Sequence, residues 1–186
     1  MEIEIKFPLI DRDALLARLR DGGEQLYPET FEDNVVLDRR DELRAAGALL
    51  RIRRFGKYTL VTWKGPATYV ENVRKREEIQ GGFESFDFAI SLFRALGFEP
   101  AFRYQKLREV WRFRDTEVVL DRTPIGDYFE IEGSMDTIQS VVKELGLRVE
   151  DAVRASYMEL YRQARLQDPL KPEHMVFELD GSEPAS

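Results

Sequence analysis

The chain opens with the run Glu2-Ile3-Glu4-Ile5-Lys6-Phe7, in which charged and apolar residues alternate strictly. Successive side chains of a β-strand point to opposite faces, so the three charged residues share one face and the three apolar residues share the other. Pro8 ends this predicted strand, because proline has no backbone N–H to donate to a sheet. The fold then depends on which of the two faces points inward.

Full charges occupy the same strand face at many other places along the chain. In an ordinary half-buried sheet the polar face points to solvent, but here it carries full charges in nearly every predicted strand. The apolar faces of these strands offer amphipathic helices a surface to pack on, and helices on the outside would turn the charges inward. The other charged residues predicted to share this face are Arg51, Arg53, Lys64, Arg74, Arg76, Glu78, Lys106, Arg108, Glu130 and Glu132.

Hydrophobic periodicity and turn residues predict about eight strands, joined by turns or by single helices. Eight antiparallel strands suffice to close a barrel whose interior holds a small ligand. The sequence therefore predicts an α+β fold: an eight-stranded antiparallel β-barrel with helices packed outside. The predicted strands cover residues 2–7, 30–38, 48–53, 58–64, 73–80, 102–114, 116–122 and 128–133, and the predicted helices lie between residues 11 and 22 and over residues 85–96, 135–145 and 149–165.

One domain is predicted over residues 1–165. The chain of 186 residues is long enough for a single sizeable core, and no linker or internal repeat divides it. Residues 166–186 are rich in proline, acidic and small residues, so we expect them to form a loosely ordered C-terminal tail.

Composition excludes several classes of chemistry. The chain has no cysteine and one histidine, His174, which rules out disulfides, thiolate sites, histidine zinc sites and Ser-His-Asp catalysis. A net charge of −7 argues against a general nucleic-acid binder. No apolar stretch is long enough to span a membrane, and the first residues do not resemble a signal peptide, so we expect a cytoplasmic protein without nucleic-acid or membrane partners.

The predicted interior carries both signs of charge. Buried ions without compensation are strongly disfavoured, so such a lumen requires charged ligands. Clustered carboxylates suit hard divalent cations such as Mg²⁺ or Mn²⁺, and several arginines and lysines around the same space suit phosphate oxygens. The combination indicates a metal-bound compound with several phosphates.

The opening pentapeptide Glu2-Ile3-Glu4-Ile5-Lys6 resembles the Glu-x-Glu-x-Lys signature of the CYTH superfamily of triphosphate tunnel enzymes. That superfamily includes class IV adenylyl cyclases, thiamine triphosphatases and inorganic triphosphatases. The resemblance covers about residues 1–163 and implies an eight-stranded tunnel barrel. One departure is Gln80, where many relatives carry another acid. Further segments similar to the family's successive motifs are residues 50–53, 63–66, 76–79, 106–108, 120–121, 126–132 and 156–157.

The resemblance implies roles for matching positions. The implied metal ligands are Glu2, Glu4, Asp121, Glu130 and Glu132. The implied triphosphate-binding residues are Lys6, Arg51, Arg53, Lys64, Arg76, Lys106, Arg108 and Arg154, the last reaching in from just before the final helix. The implied catalytic residues are Glu4, Glu78 and Lys6.

Three functions are compatible with these residues. The first is metal-dependent hydrolysis of a triphosphate: inorganic triphosphate, ATP or thiamine triphosphate. The second is a class IV adenylyl cyclase, which residues 63–66 and 98–108 resemble more closely. The third is a non-catalytic binding module for a nucleotide or polyphosphate, although binding alone would not need so many carboxylates. A homodimer is compatible with each function.

Simpler interpretations exist for single residues. Any one charged pair is compatible with a solvated strand face that forms surface salt bridges of little energetic consequence. Tyr157 and the aromatic residues Trp63, Phe93, Trp111 and Phe129 are expected to be core residues. The charged set is interpreted functionally because its members agree in strand face and in motif order.

Overall fold

A computed structural model describes residues 1–178 of the chain. Within them, ten strands form one antiparallel sheet, with α-helices and one 3₁₀ turn around it. The strands are β1 (Glu2–Pro8), β2 (Gly23–Asp38), β3 (Leu49–Phe55), β4 (Tyr58–Lys64), β5 (Thr68–Val70), β6 (Val73–Arg76), β7 (Glu78–Phe83), β8 (Glu99–Phe113), β9 (Thr116–Thr123) and β10 (Gly126–Glu132). The helices are α1 (Arg12–Gly22), α2 (Glu42–Ala45), α3 (Phe86–Ala95), α4 (Met135–Glu144) and α5 (Tyr157–Gln167), and the 3₁₀ turn is Val149–Asp151.

Side-chain caps fix where four of these helices begin. The residue before each helix accepts a hydrogen bond from a backbone N–H of the first turn, which would otherwise have no partner. Asp11 caps α1 in this way, and serines cap α3, α4 and α5. At α5 the cap is reciprocal, because the Glu159 side chain also accepts from the Ser156 backbone N–H at 2.7 Å.

The sheet curls into a ring. Its hydrogen-bonded order is β5-β6-β1-β10-β9-β8-β2-β3-β4-β7. Strands β6 and β7 lie near opposite ends of this order, yet only Glu77 separates them in the chain. The main chain itself therefore joins the two sides of the sheet. At this point the Gly65 N–H donates to the Glu77 carbonyl at 2.9 Å, which keeps the end of β4 beside the bend.

The α+β fold class is confirmed, but the strand count differs from the eight predicted, and the hydrogen bonds do not close the barrel. The strand predicted over residues 73–80 breaks at Glu77, where it changes partner from β1 to β4. The short strand β5, which follows Gly65-Pro66, was not predicted. If β6 and β7 count as one interrupted strand and β5 as an addition, the predicted barrel strands account for the ring.

Strand β2 is longer than predicted, because it begins at Gly23 rather than near residue 30. Register shifts relative to β8 between Gln25 and Tyr27 and between Tyr27 and Thr30 interrupt the regular pairing. Bulges of this kind accommodate Pro28, which cannot donate to a regular ladder. The alternating pattern is lost at the same place, which explains why the sequence did not indicate this part of the strand.

The hydrophobic core lies outside the ring, between the sheet and the helices. Helices α1 and α4 pack on the β1, β9 and β10 side, where Leu19 and Ile138 are fully buried in one cluster with Ile131. Helix α3 covers β2 and β3 through the fully buried Ala89. The apolar strand faces therefore point outward to the helices, as the sequence predicted. None of the helices in residues 1–178 is both long enough and apolar enough to cross a lipid bilayer.

The end of the chain departs from two predictions. The helix expected over residues 149–165 is a 3₁₀ turn followed by α5, because Ser156 caps a new helix. The tail expected from residue 166 is not loose over its described part. Met175 is fully buried beside Tyr104, and its backbone pairs with β8 through Arg103 and Gln105 at 3.1 and 2.8 Å. Residues 179–186 of the expected tail lie outside the described part of the chain.

Candidate active site in the tunnel

The ring encloses a cavity of about 890 Å³, called the tunnel below. Its walls carry the charged strand faces that the sequence predicted to point inward. The predicted site residues on its lining are Glu2, Glu4, Lys6, Arg51, Arg53, Lys64, Arg76, Glu78, Lys106, Arg108, Glu130 and Glu132. Two predicted site residues, Asp121 and Arg154, do not line the tunnel.

Three carboxylates from two neighbouring strands form a cluster on one wall. Glu4 on β1 lies opposite Glu132 on β10, and Glu2 lies on the same face of β1. One oxygen from each carboxylate lies within 4.8 Å of the others. The Glu2 Oε2 atom is buried and accepts no hydrogen bond from the described residues. Three convergent carboxylates, one with such an oxygen, fit a hard divalent cation such as Mg²⁺ or Mn²⁺.

The electrostatics of this cluster favour an added positive charge. Burial, followed by repulsion from Glu4 and Glu130, raises the pKa of Glu132 to about 8. Burial and repulsion from Glu130 likewise raise the pKa of Glu4. Like charges at short range in a buried site disfavour the ionisation of Glu4 and Glu132, and a divalent cation relieves both the repulsion and the cost of burial.

Two basic residues hold part of the cluster. Lys64, at the end of β4, pairs with Glu2 and also with Glu78 at 2.8 Å. Arg74 on β6 pairs with Glu4 and lines the tunnel. Arg74 was placed on the inward face from the sequence but was not among the predicted site residues. Glu132 lies directly beside this group without an ion-pair partner in the described structure.

A second, fully buried network lies deeper in the wall around Asp121. Its carboxylate accepts hydrogen bonds from Lys106 at 3.0 Å, from Arg108 at 2.7 and 2.6 Å, and from the Tyr157 hydroxyl at 2.7 Å. Glu130 pairs with Lys6 at 3.2 Å and with Arg108 at 2.9 Å. Burial disfavours the ionised form of Glu130, but the charges of Lys6 and Arg108 outweigh this effect and lower the pKa of Glu130.

The five predicted metal ligands therefore fall into two groups. Glu2, Glu4 and Glu132 converge, whereas Asp121 and Glu130 are engaged by lysine and arginine side chains. Asp121 is fully buried behind the lining, so the structure does not support its predicted position among the metal ligands. The physical reason is that two strongly basic neighbours already satisfy both of its oxygens.

Glu32 on β2 is a buried acid that the sequence analysis did not select. It lies 3.4 Å from Lys106 and 3.6 Å from Arg53, and it lines the tunnel. Burial opposes ionisation, but Lys106 and Arg108 outweigh it and lower the pKa of Glu32 to about 2. Glu32 is thus an anion that aligns the bases. Glu32 and Asn34 are polar residues at alternate positions of the strand predicted over residues 30–38. This alternation would have indicated that Glu32 lies on the inward face.

Several basic side chains keep unused donors in the tunnel. Arg51 donates to the Tyr104 hydroxyl at 3.1 Å, but its Nε and Nη2 atoms are buried without a hydrogen-bond partner in residues 1–178. The Nε atoms of Arg53 and Arg74 are in the same state. Arg76 donates to the Gly65 carbonyl at 3.0 Å, which fixes it at the bend between β6 and β7. Buried donors of this kind fit the oxygens of a phosphate chain.

Arg154 was predicted to bind the triphosphate but lies outside the tunnel. It donates to the Asn72 side chain at 2.6 Å and to the Glu71 carbonyl, and its guanidinium lies over the Tyr69 ring at 5.6 Å. It therefore fastens the turn between β5 and β6. The segment that carries it, between the 3₁₀ turn and α5, is irregular, so no periodicity indicated its direction.

Tyr157 was predicted to be a core residue, and it does pack in the hydrophobic cluster beneath α5; its ring also forms part of the tunnel wall. It is buried, and Lys6 lies over its ring with the ammonium 4.1 Å from the centroid. Lys106 approaches the same ring at 5.1 Å. An aromatic ring that contacts two ammonium groups contributes to their placement through cation–π attraction.

Known proteins resemble this chain in sequence. A family model described as the CYTH domain matches residues 1–157. A protein of Methanocaldococcus jannaschii named "Putative adenylate cyclase" is 27% identical over 173 residues, which cover 86% of this chain and 98% of that protein.

Two solved structures show the same fold. A "putative adenylate cyclase" from Vibrio parahaemolyticus has a TM-score of 0.77 at 19% identity, covering 87% of this chain and 97% of that chain. A "putative adenylyl cyclase" from Hippeastrum, described as having a dominant triphosphatase activity, has a TM-score of 0.63 at 18% identity, covering 88% and 96% of the two chains.

Proposed function

The chain belongs to the CYTH domain family, whose members process triphosphates, and we propose that it hydrolyses a triphosphate with the help of a divalent cation. One observation carries this proposal: three converging carboxylates face a set of buried basic side chains across one tunnel. The acids account for a cation and the bases for a phosphate chain. Phosphate binding alone would leave the carboxylate cluster unexplained, and cation binding alone would leave the basic side chains unexplained.

The basic residues bind and orient the phosphates. Arg51 and Arg53 project from one strand, β3, and Lys106 and Arg108 project from β8 on the far side of β2. Glu32 and Asp121 hold the β8 pair through ion pairs, so these side chains are already ordered before a ligand arrives. Fixed donors stabilise developing charge without having to reorganise during the reaction.

Glu2, Glu4 and Glu132 would hold the cation. Once bound there, a divalent ion would offset phosphate charge and polarise a phosphoryl oxygen as a Lewis acid.

In this proposal Glu78 orients the attacking water. Although its partial burial opposes ionisation, Lys64 at 2.8 Å lowers the pKa of Glu78, so the carboxylate is charged near neutral pH. A charged carboxylate accepts a hydrogen bond from water and aligns it for in-line attack on the terminal phosphorus. A new P–O bond then forms to the water oxygen, the bond to the bridging oxygen breaks, and Glu78 takes up a proton.

In this proposal Lys6 stabilises the leaving group. It is buried, and both Glu130 and the Ala155 carbonyl, each at 3.2 Å, fix its ammonium group. A positive charge held in this way stabilises the shortened phosphate chain as negative charge accumulates on it.

Cyclisation of ATP is the second candidate, and one observation favours it: the Methanocaldococcus relative carries the name of a cyclase. The activity described for the Hippeastrum protein supports hydrolysis. Both reactions use the same charged groups and differ in which phosphorus meets the nucleophile. A purely binding role accounts less well for the cluster of carboxylates, because carboxylates that repel one another do not help to bind an anion.

The test is to incubate the protein with Mg²⁺ or Mn²⁺ and either inorganic triphosphate or ATP, and to follow the products by phosphorus NMR. Release of orthophosphate supports hydrolysis. Cyclic AMP with diphosphate would replace the proposal with the cyclase. Binding of a triphosphate without any product would show a binding module and overturn both catalytic candidates.

A further inference from the structure

A short segment near the end of the described chain, residues 174–177, pairs with strand β8 and is called the strap below. Met175 of the strap forms a parallel bridge with Tyr104. The Met175 N–H donates to the Arg103 carbonyl at 3.1 Å, and the Met175 carbonyl accepts from the Gln105 N–H at 2.8 Å. The strap therefore fixes the backbone of β8 on both sides of Tyr104.

The strap occupies a strand edge that the ring leaves open. Strand β9 pairs with β8 only over residues 107–113, so the preceding part of β8 would have unpaired backbone groups on that side. Proteins commonly cover such edges, and the strap covers this one at residues 103–105. The strap lies outside residues 1–157, which the CYTH family model matches, so membership of the family does not account for it.

The side chain of Met175 holds the ring of Tyr104. Met175 is fully buried and belongs to the same hydrophobic cluster as Tyr104 and Phe102. The rings of Phe102 and Tyr104 are stacked, with their centroids 6.1 Å apart. Because protein interiors are closely packed, a ring enclosed in this way keeps one orientation.

Tyr104 extends from this cluster into the tunnel. It lies two residues before Lys106 on β8, and alternate residues of a strand share a face. Its hydroxyl accepts a hydrogen bond from Arg51 Nη1 at 3.1 Å, the one hydrogen bond that the Arg51 side chain makes within residues 1–178. Arg51 is buried, and its Nε and Nη2 atoms have no hydrogen-bond partner in that part of the chain. The position of Tyr104 therefore fixes the direction of two unused donors.

Resting on the proposed function, we propose that the strap is a positioning element, which acts through Tyr104 to hold Arg51 ready for the phosphate chain. A long arginine side chain loses rotamer freedom when it binds a ligand, and a partner that fixes it beforehand reduces this loss. A hydroxyl group suits this role, because it occupies one donor of the guanidinium and leaves the others for phosphate oxygens. A carboxylate in its place would also neutralise the charge that attracts the phosphate.

The test measures the affinity for the bis-methylene analogue of inorganic triphosphate, a non-hydrolysable probe, by calorimetry with Mg²⁺ present. Tyr104→Phe keeps the ring and removes the hydroxyl, and we expect it to weaken binding of the analogue by about fivefold. Met175→Ala leaves a cavity beside Tyr104 and should weaken binding by a similar factor. Met175→Leu nearly conserves the side-chain volume and should restore the affinity to within about twofold of the wild type.

Ile138→Ala is the matched control for a general loss of stability. Ile138 is also fully buried, but it belongs to the cluster that α1 and α4 form with the outside of the sheet and does not line the tunnel. Its removal should lower the midpoint of thermal unfolding about as much as Met175→Ala does and leave the affinity unchanged. Tyr104→Phe loses only a hydroxyl group, so it decides the test even if the two alanine variants fail to fold.

A double-mutant cycle identifies the route by which the strap acts. Arg51→Ala removes the group that the strap is proposed to hold, and it should itself weaken binding of the analogue. Adding Met175→Ala or Tyr104→Phe to Arg51→Ala should then cause no further loss of affinity, because the effect of each depends on Arg51. Losses that add fully in the double variants would overturn the proposal, since the strap would then act independently of Arg51.

The outcomes also separate this proposal from the proposed function. If the wild type binds the analogue and neither Tyr104→Phe nor Met175→Ala changes the affinity, the strap only covers a strand edge, and the positioning role is overturned while the triphosphate function remains. If the variants respond as expected but phosphorus NMR detects no hydrolysis, the positioning role stands and hydrolysis is overturned. If the wild type does not bind the analogue, both proposals are overturned.

Discussion

Tyr157 donates a hydrogen bond from its hydroxyl to the carboxylate of Asp121 at 2.7 Å, within the tunnel wall. The same carboxylate receives hydrogen bonds from Lys106 and Arg108, and the face of the tyrosine ring meets Lys6. The first residue of the last helix is therefore connected to three bases on two different strands. Helix α5 contributes to the order of the phosphate-binding groups as well as to the core.

Tyr157→Phe should raise KM for the triphosphate several-fold, because Asp121 loses one of the partners that align Lys106 and Arg108. It should also lower the free energy of unfolding by about 1 kcal/mol, the typical contribution of a buried hydrogen bond. Steady-state kinetics and thermal unfolding measure the two effects. Tyr161→Phe is the control, since that hydroxyl on the same helix donates to the Pro172 carbonyl at 2.9 Å, away from the tunnel. Equal KM changes in both variants would contradict the role of Tyr157.

Glu4→Gln should abolish turnover and leave the fold intact. The substitution keeps the size of the side chain but removes a charged ligand from the centre of the carboxylate cluster, so cation affinity should fall. Phosphate release, calorimetric titration with Mn²⁺ and circular dichroism measure these effects. Glu77→Gln removes a neighbouring acid that does not line the tunnel and should behave as wild type. A fully active Glu4→Gln protein would refute the proposed cation site.

Arg53→Ala should mainly weaken substrate binding. Its Nε atom is buried in the tunnel wall without a hydrogen-bond partner in the described residues, so the side chain has donor capacity for a phosphate. We expect KM to rise by roughly tenfold or more with a smaller change in kcat, the pattern of a lost binding contact. Arg54→Ala is the control, because Arg54 points outward to Asp33 at 3.2 Å. The interpretation fails if Arg54→Ala raises KM as much.

Cation binding should release a proton near neutral pH. Burial and repulsion from Glu4 raise the pKa of Glu132 to about 8, so at pH 7 its carboxyl is largely protonated and must ionise to bind a metal. Calorimetry in two buffers of different ionisation enthalpy should show release of close to one proton at pH 7 and much less above pH 9. In Glu132→Gln the release should fall. Release that is unchanged in this variant would contradict the assignment.

The Glu132 carboxyl also makes the free energy of unfolding depend on pH. Because its pKa is higher in the folded than in the unfolded protein, the folded state binds the extra proton between about pH 4.5 and 8. The stabilising contribution is complete at low pH and is lost as the pH rises through about 8. The difference in unfolding free energy between metal-free wild type and Glu132→Gln should therefore shift against the wild type over this range. A difference that does not vary with pH would contradict this account.

The alternation of residues along strands predicted which charges line the tunnel. Glu2, Glu4 and Lys6 on β1 could be placed from a single hexapeptide, because a strand offers only two faces and the apolar face must meet the helices. What alternation cannot supply is the pairing between strands. The convergence of Glu132 with Glu2 and Glu4 depends on β10 lying beside β1, two strands separated by most of the chain.

The departures have local causes. Asp121 shares the inward direction with its neighbours, but its depth behind the lining depends on the side chains of Lys106 and Arg108. Arg154 lies in an irregular segment, where no period specifies a direction. Tyr157 is a core residue, as its residue type indicated, but its contacts with Lys6 and Lys106 depend on the packing of α5 at one end of the tunnel.

The bend at Glu77 and the position of β1 between β6 and β10 have a consequence for biosynthesis. Strand β1 is synthesised before both of its partners, since β6 begins at residue 73 and β10 at residue 126. Pairing between such distant segments is slow, because a long loop must close before any contact forms. Strand β1, with Glu2 and Glu4 on it, therefore gains its second partner only once β10 has been made, and the cation site cannot form earlier, because Glu132 lies on β10.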